Sequence, residues 1–217
     1  MCLMTCQPEL ATFYFQRAWQ PMHSFANRSP AEVVTPPTAE PLTLSEAKKH
    51  LELSDADTTH DEHLIDLIAS AREQWEKDTD SVTMQQTLRV TFEEFGLNSL
   101  VLPKRPVQSI TSIQYYDSGN NLQTLATSVY NLDRMRRAVR LLTDEVWPAQ
   151  YNRWDAIQVD YVCGYASRRL VPAIARQAIK LLIGHYFANR EMLSNDLIYQ
   201  MRAYEMLVRR YMRATYP

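Results

Sequence analysis

The sequence predicts an α+β protein in which a helical bundle, formed by N- and C-terminal helices, carries an inserted, mostly antiparallel β domain. Two observations support this fold class. Apolar residues recur with helical spacing in residues 43–79 and again after Pro172, whereas between these segments they alternate with polar residues as strands require. The predicted divisions are an N-terminal arm and Pro-rich linker (1–40), a helical hairpin (41–83), a β domain (84–165) and C-terminal helices that pack with the hairpin (166–217).

The arm combines aromatic residues with a proline-rich end. The stretch SPAEVVTPPTAEP contains Pro30, Pro36, Pro37 and Pro41, which disfavour a helix and predict an extended path. The preceding aromatic residues are too many for a solvated tail, so we expect them to dock onto a neighbouring chain. They are Phe13, Tyr14, Phe15 and Trp19.

Two helix starts follow the linker. Thr43 and Glu46 have the spacing of a capping box, in which each side chain bonds the other residue's backbone N–H, so a helix is predicted from there to about Leu51. A second helix is expected to begin at Thr58 or Thr59 and to reach about Thr79. Its first turn holds two acidic residues, Asp61 and Glu62.

The middle of the chain has the alternation of half-buried strands. Leu88, Val90 and Phe92 alternate with polar residues, and so do the apolar positions of residues 157–163. Between them lie several short runs, with a predicted turn at residues 118–121. The runs SLVLP, SITSIQYYD, LQTLA, VYNLD and AVRLL predict short strands joined by hairpins.

Helical periodicity returns in the last fifty residues. Pro172 suits the first position of a helix that should reach about Asn189. After a short break at Ser194 and Asn195, a final amphipathic helix is predicted. Its apolar positions are Leu197, Met201, Tyr204, Val208 and Tyr211.

Composition narrows the class of protein. With 217 residues, 46% of them hydrophobic and 22% charged, the chain is typical of a globular protein. The net charge of −2 gives no general affinity for nucleic acid. Three cysteines cannot form a disulfide framework, which favours a reducing compartment. Because no signal peptide and no run of about 18 apolar residues occurs, the chain is predicted to be neither secreted nor membrane-spanning, and no membrane is expected among its partners.

The small net charge hides a strong asymmetry. Residues 52–80 contain ten acidic and two basic residues, whereas residues 168–217 contain nine basic and three acidic ones. Segments of opposite charge can pair copies of one chain or recruit an acidic partner. The alternative interpretation is that both segments are solvated helix faces.

The acidic segment also contains candidate metal ligands. Asp55, Asp57, His60 and His63 lie close together in sequence, but a calcium loop is excluded because His60 stands where glycine is needed. We predict that the aspartates form turns and that the histidines are exposed in the first helical turn. A small metal-dependent hydrolase using these four residues remains an alternative. With only 4 Gly in the chain, no phosphate-binding loop and no cofactor are predicted.

The order of sequence blocks resembles a known family. EPLTLSEAKKHLEL, DEHLIDLIASAREQWEKDT, LVLPKRPVQSITSIQYYD, VYNLD, RLLTDEVWPA, IQVDYVCGY and VPAIARQAIKLLIGHYFANRE occur in an order similar to that of the head-tail connector proteins of tailed bacteriophages, also called adaptor or head-completion proteins. The resemblance covers residues 40–191, so the N-terminal extension lies outside it.

The resemblance implies a non-enzymatic virion protein without catalytic, metal or cofactor residues. Such a protein assembles in the host cytoplasm into a homo-oligomeric ring, commonly a dodecamer, under the portal in the head-tail neck. The ring extends the DNA channel and provides the attachment site for a neck, stopper or tail protein. We expect an acidic inter-subunit face made of Asp61, Glu62, Asp66 and Glu73.

The C-terminal segment often engages the portal in that family. The positions carried over to this sequence are Arg202, Arg209, Arg210, Tyr211, Arg213 and Tyr216. The same basic helix could contact the phosphates of packaged DNA. The alternative function is therefore a DNA-binding or DNA-packaging accessory protein.

Overall fold

Four α-helices and eight strands make up the described part of a computed structural model, which covers residues 28–96, 99–189 and 197–215. The helices are α1 (Leu44–His50), α2 (Asp61–Thr79), α3 (Ala173–Ala188) and α4 (Leu197–Thr215). The strands are β1 (Glu32–Thr35), β2 (Gln86–Phe92), β3 (Ser99–Val101), β4 (Val107–Tyr116), β5 (Leu122–Thr124), β6 (Tyr130–Asp133), β7 (Ala138–Leu141) and β8 (Ile157–Cys163). The predicted α+β class is confirmed.

The strands form two antiparallel sheets. The larger sheet has the order β1-β2-β8-β4-β5 and the smaller one the order β3-β7-β6. β2 and β8 pair along their full lengths, from Gln86 opposite Cys163 to Phe92 opposite Ile157. β8 is the central strand of this sheet, between β2 and β4, and the alternating sequences of β2 and β8 supply one apolar face for a core.

The apolar faces of the two sheets share one core. Every second residue of β2 and β8 is buried, and the side chains between them are half-buried and mostly polar. On the polar face Arg89 donates two hydrogen bonds of 2.7 Å to the Asp160 carboxylate directly opposite it. Cys163 is fully buried, as its strand position predicts. The main residues of this core are Leu88, Val90, Leu100, Ile113, Val139, Ile157, Val159 and Tyr161.

β1 is a strand that the sequence analysis did not predict. It lies within the proline-rich linker and pairs with β2, with Glu32 opposite Arg89 and Val33 opposite Leu88. All four of its residues are exposed. The prolines on either side limit the strand to four residues, since proline cannot donate to a β ladder.

The helices build a second core around Trp75. This side chain of α2 is fully buried, and α2 packs against α1, α3 and α4. Two tyrosines of α4 contact the indole ring, with centroid separations of 6.3 Å for Tyr204 and 5.1 Å for Tyr211. The helical core is therefore closed by a helix that lies more than 120 residues later in the chain.

The structure confirms one of the two predicted helix caps and contradicts the other. At α1 the capping box is confirmed, because the Glu46 N–H donates to the Thr43 hydroxyl (3.1 Å) and the Thr43 N–H donates to the Glu46 carboxylate (2.8 Å). The predicted threonine cap of α2 is wrong. That helix begins at Asp61 after His60, which makes no side-chain capping bond, and the Thr59 N–H donates to the Asp57 side chain (2.9 Å) in the preceding turn.

Gly164 lets β8 pass close to the start of β2. Its φ of +101° is one that L side chains rarely adopt, and a Cβ atom there would lie 2.4 Å from the Met84 carbonyl oxygen. The adjacent Tyr165 N–H donates to the Thr83 carbonyl (3.3 Å), so the chain returns to the helices across the beginning of the sheet.

Trp75→Ala should lower the free energy of unfolding by about 3–5 kcal/mol, because it leaves a cavity at the centre of the helical core. Ile65→Ala on the same helix is the matched control, since Ile65 is 53% exposed and its loss should change stability little. Urea unfolding followed by circular dichroism measures both. Equal effects of the two substitutions would contradict this assignment of the core.

Glu46→Gln should lower the stability of the protein by an amount that depends on pH, because the Glu46 carboxylate caps α1. The backbone hydrogen bond from Thr43 and the bond to its hydroxyl hold the pKa of the Glu46 carboxyl below its ordinary value. A lowered folded-state pKa stabilises the protein above the ordinary glutamate pKa, and this stabilisation is lost as the pH falls through the folded-state value. The advantage of wild type over Glu46→Gln should therefore shrink in acid. Urea unfolding of both proteins across a pH series tests this, and an advantage that stays constant into acid would contradict it.

Candidate interaction surfaces

The acidic loop between α1 and α2 wraps around a buried lysine. Lys48 is 3% exposed, and its ammonium group donates to the carbonyl oxygens of Asp57 (2.7 Å) and Asp55 (3.3 Å). It also forms an ion pair of 2.6 Å with the Asp61 carboxylate. Two backbone carbonyls of the loop and the first side chain of α2 therefore direct three oxygen atoms at one internal cation.

The side chains of this loop have local partners, as predicted for turn residues. Asp57 accepts hydrogen bonds from Thr59, and these lower the pKa of its carboxyl. The Asp55 carboxylate accepts from the Ser45 hydroxyl (3.2 Å). The aspartates thus stabilise the connection between α1 and α2.

His60 and His63 lie against α3. Their rings are 5.4 Å and 6.2 Å from the ring of Phe187, so the prediction that they are exposed is wrong and both are half-buried. Within residues 28–96, 99–189 and 197–215, no group of three or more His, Cys, Asp or Glu residues is placed to hold a metal ion. The hydrolase alternative therefore gains no support from this loop.

Three of the four residues predicted for an acidic inter-subunit face share the outer side of α2. Glu62, Asp66 and Glu73 are exposed at positions four and then seven residues apart, which places them on one helix face. Ile65, which is 53% exposed, lies beside them. Asp61 does not belong to this face, because its carboxylate is paired with the buried Lys48. We call Glu62, Ile65, Asp66 and Glu73 the acidic face.

An outward-facing stripe of arginines runs along α4. Arg202, Arg209 and Arg213 are exposed at spacings of seven and four residues, and Met206, 70% exposed, lies between them. Arg210 is also exposed and lies to one side of this row. We call Arg202, Met206, Arg209 and Arg213 the basic stripe.

Of the two tyrosines predicted to bind the portal, the structure describes only Tyr211. Tyr211 is only 8% exposed, because its ring packs on Trp75, so it is part of the core and its prediction as a contact residue is corrected. Tyr216 lies outside the described residues, as do Phe13, Tyr14, Phe15 and Trp19 of the arm.

A buried arginine that the sequence analysis missed holds α4 in place. Arg105, in the β3–β4 connection, is 5% exposed and donates to the Thr79 carbonyl at the end of α2 (3.1 Å). Its guanidinium lies 5.6 Å from the centre of the Tyr211 ring and 3.3 Å from the Met212 sulfur. Nothing in the local sequence distinguishes this arginine from a surface residue, since its partners come from two distant helices.

A third exposed surface lies on the loop before β8. Val146 and Trp154 are 83% and 72% exposed, and Tyr151 between them is 43% exposed. The loop is held by Trp147, which stacks on Phe95 at 4.6 Å, and by Arg153, whose guanidinium lies 3.8 Å above the Tyr116 ring. Large apolar side chains on a braced loop are typical of protein contact sites.

The described helices include none that is long and apolar enough to cross a membrane.

No protein-family model matches the chain. No curated protein is similar to it in sequence.

Solved structures share the fold. A chain from the virion of a native gene transfer agent (GTA) particle superposes with a TM-score of 0.69 over 84% of this chain and 94% of its own length, at 20% identity. A chain from the neck of an empty GTA particle, computed with C6 symmetry, gives 0.66 over 76% and 87% at the same identity. A chain from the neck of a native particle, computed with C12 symmetry, gives 0.64 over 84% and 94%. The chain thus has the fold of these particle proteins along nearly all of their length.

Lys48→Ala should lower the free energy of unfolding by about 2–3 kcal/mol, because it leaves the Asp61 carboxylate and two loop carbonyls without their buried cation. Lys49→Ala is the matched control, since Lys49 is the next residue of the same helix and is exposed. Chemical unfolding compares the two variants. A Lys48→Ala protein as stable as Lys49→Ala would refute this role of Lys48.

Proposed function

We propose that this protein is a structural component of the head-tail neck of a phage-like particle. The observation that carries the proposal is the near-full-length fold match to chains from GTA particles, two of them solved in the neck. The braced apolar loop and the two charged helix faces support it, because they are surfaces for protein contact. The proposal assigns no catalysis and no cofactor to the chain.

Within the neck the protein acts as an adaptor, a homo-oligomeric ring docked under the portal that extends the DNA channel. The two neck structures were computed with C6 and C12 symmetry, and a dodecamer is compatible with both. Such a ring would assemble in the host cytoplasm and remain in the virion. Twelve copies require a head-to-tail interface, in which two different surfaces of one subunit meet those of its two neighbours.

The acidic face and the basic stripe are those two surfaces. Glu62, Asp66 and Glu73 repeat with spacings of four and seven residues, and Arg202, Arg209 and Arg213 repeat with seven and four. Two antiparallel helices with these spacings bring opposite charges into register over about three turns. Each row also has one exposed apolar residue, Ile65 or Met206, which would contribute burial that salt cannot screen.

The remaining exposed groups are assigned to the partners above and below the ring. Arg210 lies beside the basic stripe, and we assign it to the portal together with Tyr216, which lies outside the described residues. The loop with Val146, Tyr151 and Trp154 is a suitable site for the neck, stopper or tail protein that attaches next. Tyr211 has no part in portal binding because it packs on Trp75.

A DNA-binding or DNA-packaging accessory protein is the second candidate. The arginines of α4 favour it, since exposed arginines along one helix can follow a phosphate backbone. The two candidates differ in their response to free DNA. An accessory protein binds it as a monomer or dimer with an affinity that falls steeply with salt, whereas a ring held by these arginines binds free DNA weakly.

Reversing charges tests the ring. Arg209→Glu with Arg213→Glu should lower the yield of rings on the portal by about tenfold or more, because like charges then face one another across the interface. Glu62→Arg with Asp66→Arg should have the same effect, and the quadruple variant should restore rings, because these residues face Arg213 and Arg209 in the antiparallel register. Negative-stain microscopy of the protein with its portal counts them, and circular dichroism confirms that each variant is folded.

The outcomes separate the candidates. Rings of normal yield in both double variants would refute the proposed interface. The opposite result would be a wild-type protein that forms no rings with the portal and binds duplex DNA with an affinity that falls steeply as salt rises. That result would make the accessory protein, and not the connector, the proposed function.

A further inference from the structure

The turn between β6 and β7 carries an exposed cluster of positive charge. Residues 134–140, which run from this turn into β7, contain four arginines and no acidic residue. Arg134, Arg136 and Arg140 are exposed, and Met135 at the tip of the turn is 94% exposed. Within the described part of the chain, the guanidinium groups of Arg134 and Arg136 form no hydrogen bond or ion pair. Their charge is therefore available to a partner.

The fourth arginine fixes the turn to the connection between β3 and β4. The Arg137 guanidinium donates to the Pro103 carbonyl (3.1 Å), and the Arg137 carbonyl accepts from the Leu102 N–H (2.8 Å). The Asp133 carboxylate at the end of β6 accepts from the Arg136 N–H (3.0 Å). The exposed arginines thus extend from a braced turn, which lowers the conformational entropy lost on binding.

The outer face of the smaller sheet continues this surface with neutral polar side chains. Asn131 of β6 and Ser99 of β3 lie on either side of Arg140, each directly opposite it in the ladder. Asn131 is exposed and Ser99 is half-buried. The three residues form a row about 10 Å long across the sheet, since neighbouring strands lie about 4.8 Å apart. Hydrogen-bond donors therefore extend from the turn onto the sheet.

This chemistry suits a phosphate backbone better than a protein surface. Arginine beside serine and asparagine is a set of donors that proteins use to bind DNA phosphates. A protein interface needs a buried apolar centre, whereas Met135 is the one large apolar side chain of this turn. Such side chains are grouped instead on the loop with Val146 and Trp154. A two-stranded ribbon also has the dimensions to enter the major groove of B-DNA.

We propose that the β6–β7 turn faces the channel of the ring and binds the phosphate backbone of the duplex DNA within it, an inference that rests on the proposed function. Arg134, Arg136 and Arg140 are the contact residues. A surface about 10 Å long faces about three phosphates of one strand, since each strand carries one phosphate per about 3.4 Å of helix axis. One subunit therefore binds free DNA weakly, whereas DNA that the ring encloses meets several turns at once.

Salt-dependent DNA binding tests the inference. Fluorescence anisotropy of a labelled duplex is measured across a salt series for the full-length protein. Arg134→Gln with Arg136→Gln should weaken binding about tenfold or more at low salt and make the salt slope shallower by about two, because each lost phosphate contact removes about 0.9. The matched control is Arg168→Gln with Arg169→Gln, which removes the same charge from two exposed arginines elsewhere and should leave the slope unchanged.

The outcomes separate this inference from the proposed function. Equal effects of the two glutamine pairs, or a wild-type protein that does not bind the duplex even at low salt, would overturn the inference. A turn variant that keeps its DNA binding but forms no rings on the portal would also overturn it, since an acidic protein surface is then the partner. Weakened DNA binding by a turn variant whose wild-type parent forms no rings would support the DNA contact while contradicting the ring.

Cleavage of DNA from the turn tests the contact directly. An iron chelate is attached to Met135→Cys protein that also carries Cys2→Ser and Cys6→Ser, so that buried Cys163 is the remaining native thiol. In rings assembled on the portal and loaded with duplex DNA, hydroxyl radicals from the chelate should cut the DNA. The same chelate on Ser167→Cys, which is exposed beside two arginines, should not. Rings without cleavage from Met135→Cys, or with equal cleavage from both positions, would overturn the DNA contact and leave the ring intact.

Discussion

The buried guanidinium of Arg105 is the contact on which the arrangement of helices and sheets depends. It lies where four parts of the chain meet: its side chain contacts the end of α2 and the ring of Tyr211, and its carbonyl accepts from the Val82 N–H (2.7 Å) at the exit from the helical hairpin. The next residue, Pro106, accepts from the Gly164 N–H (2.9 Å) at the end of β8. A buried guanidinium needs an acceptor such as the Thr79 carbonyl, and the backbone carbonyls of Arg105 and Pro106 are bonded to the hairpin exit and to the end of β8, so this residue tolerates few other arrangements of these elements.

This constraint decides which residues of α4 can meet a partner. Tyr204 donates to the Asp78 carboxylate (2.7 Å) and packs on Trp75, and Tyr211 packs between Trp75 and Arg105. With the tyrosines turned inward, the arginines two positions away from them along α4 must face outward, because a helix repeats about every 3.6 residues. The basic stripe is thus a consequence of how the core anchors α4. An assembly that used Tyr211 as a contact would have to open the helical core.

Charge on this protein acts in two different ways. Lys48 and Asp61 form an internal pair that joins α1 to α2, and Arg72, 9% exposed, contacts both Glu40 (2.8 Å) and Glu76 (3.4 Å). These pairs are shielded from solvent, so added salt affects them little. The acidic face and the basic stripe are open to water, where ion pairs contribute little individually and weaken as salt rises. An assembly based on them would respond to ionic strength while its subunits remained folded.

The sequence by itself determined the elements of this protein apart from β1, and tertiary structure decided which residues each element buries. The Thr43–Glu46 cap and the alternation of β2 and β8 depend on neighbours within a few residues, so local spacing was enough to predict them. The inward turn of Asp61, the burial of Tyr211 and the role of Arg105 depend on partners 13, 136 and 26 positions away along the chain. Composition cannot distinguish a solvated charge from a buried one, because that difference arises only when a distant segment removes the water around it.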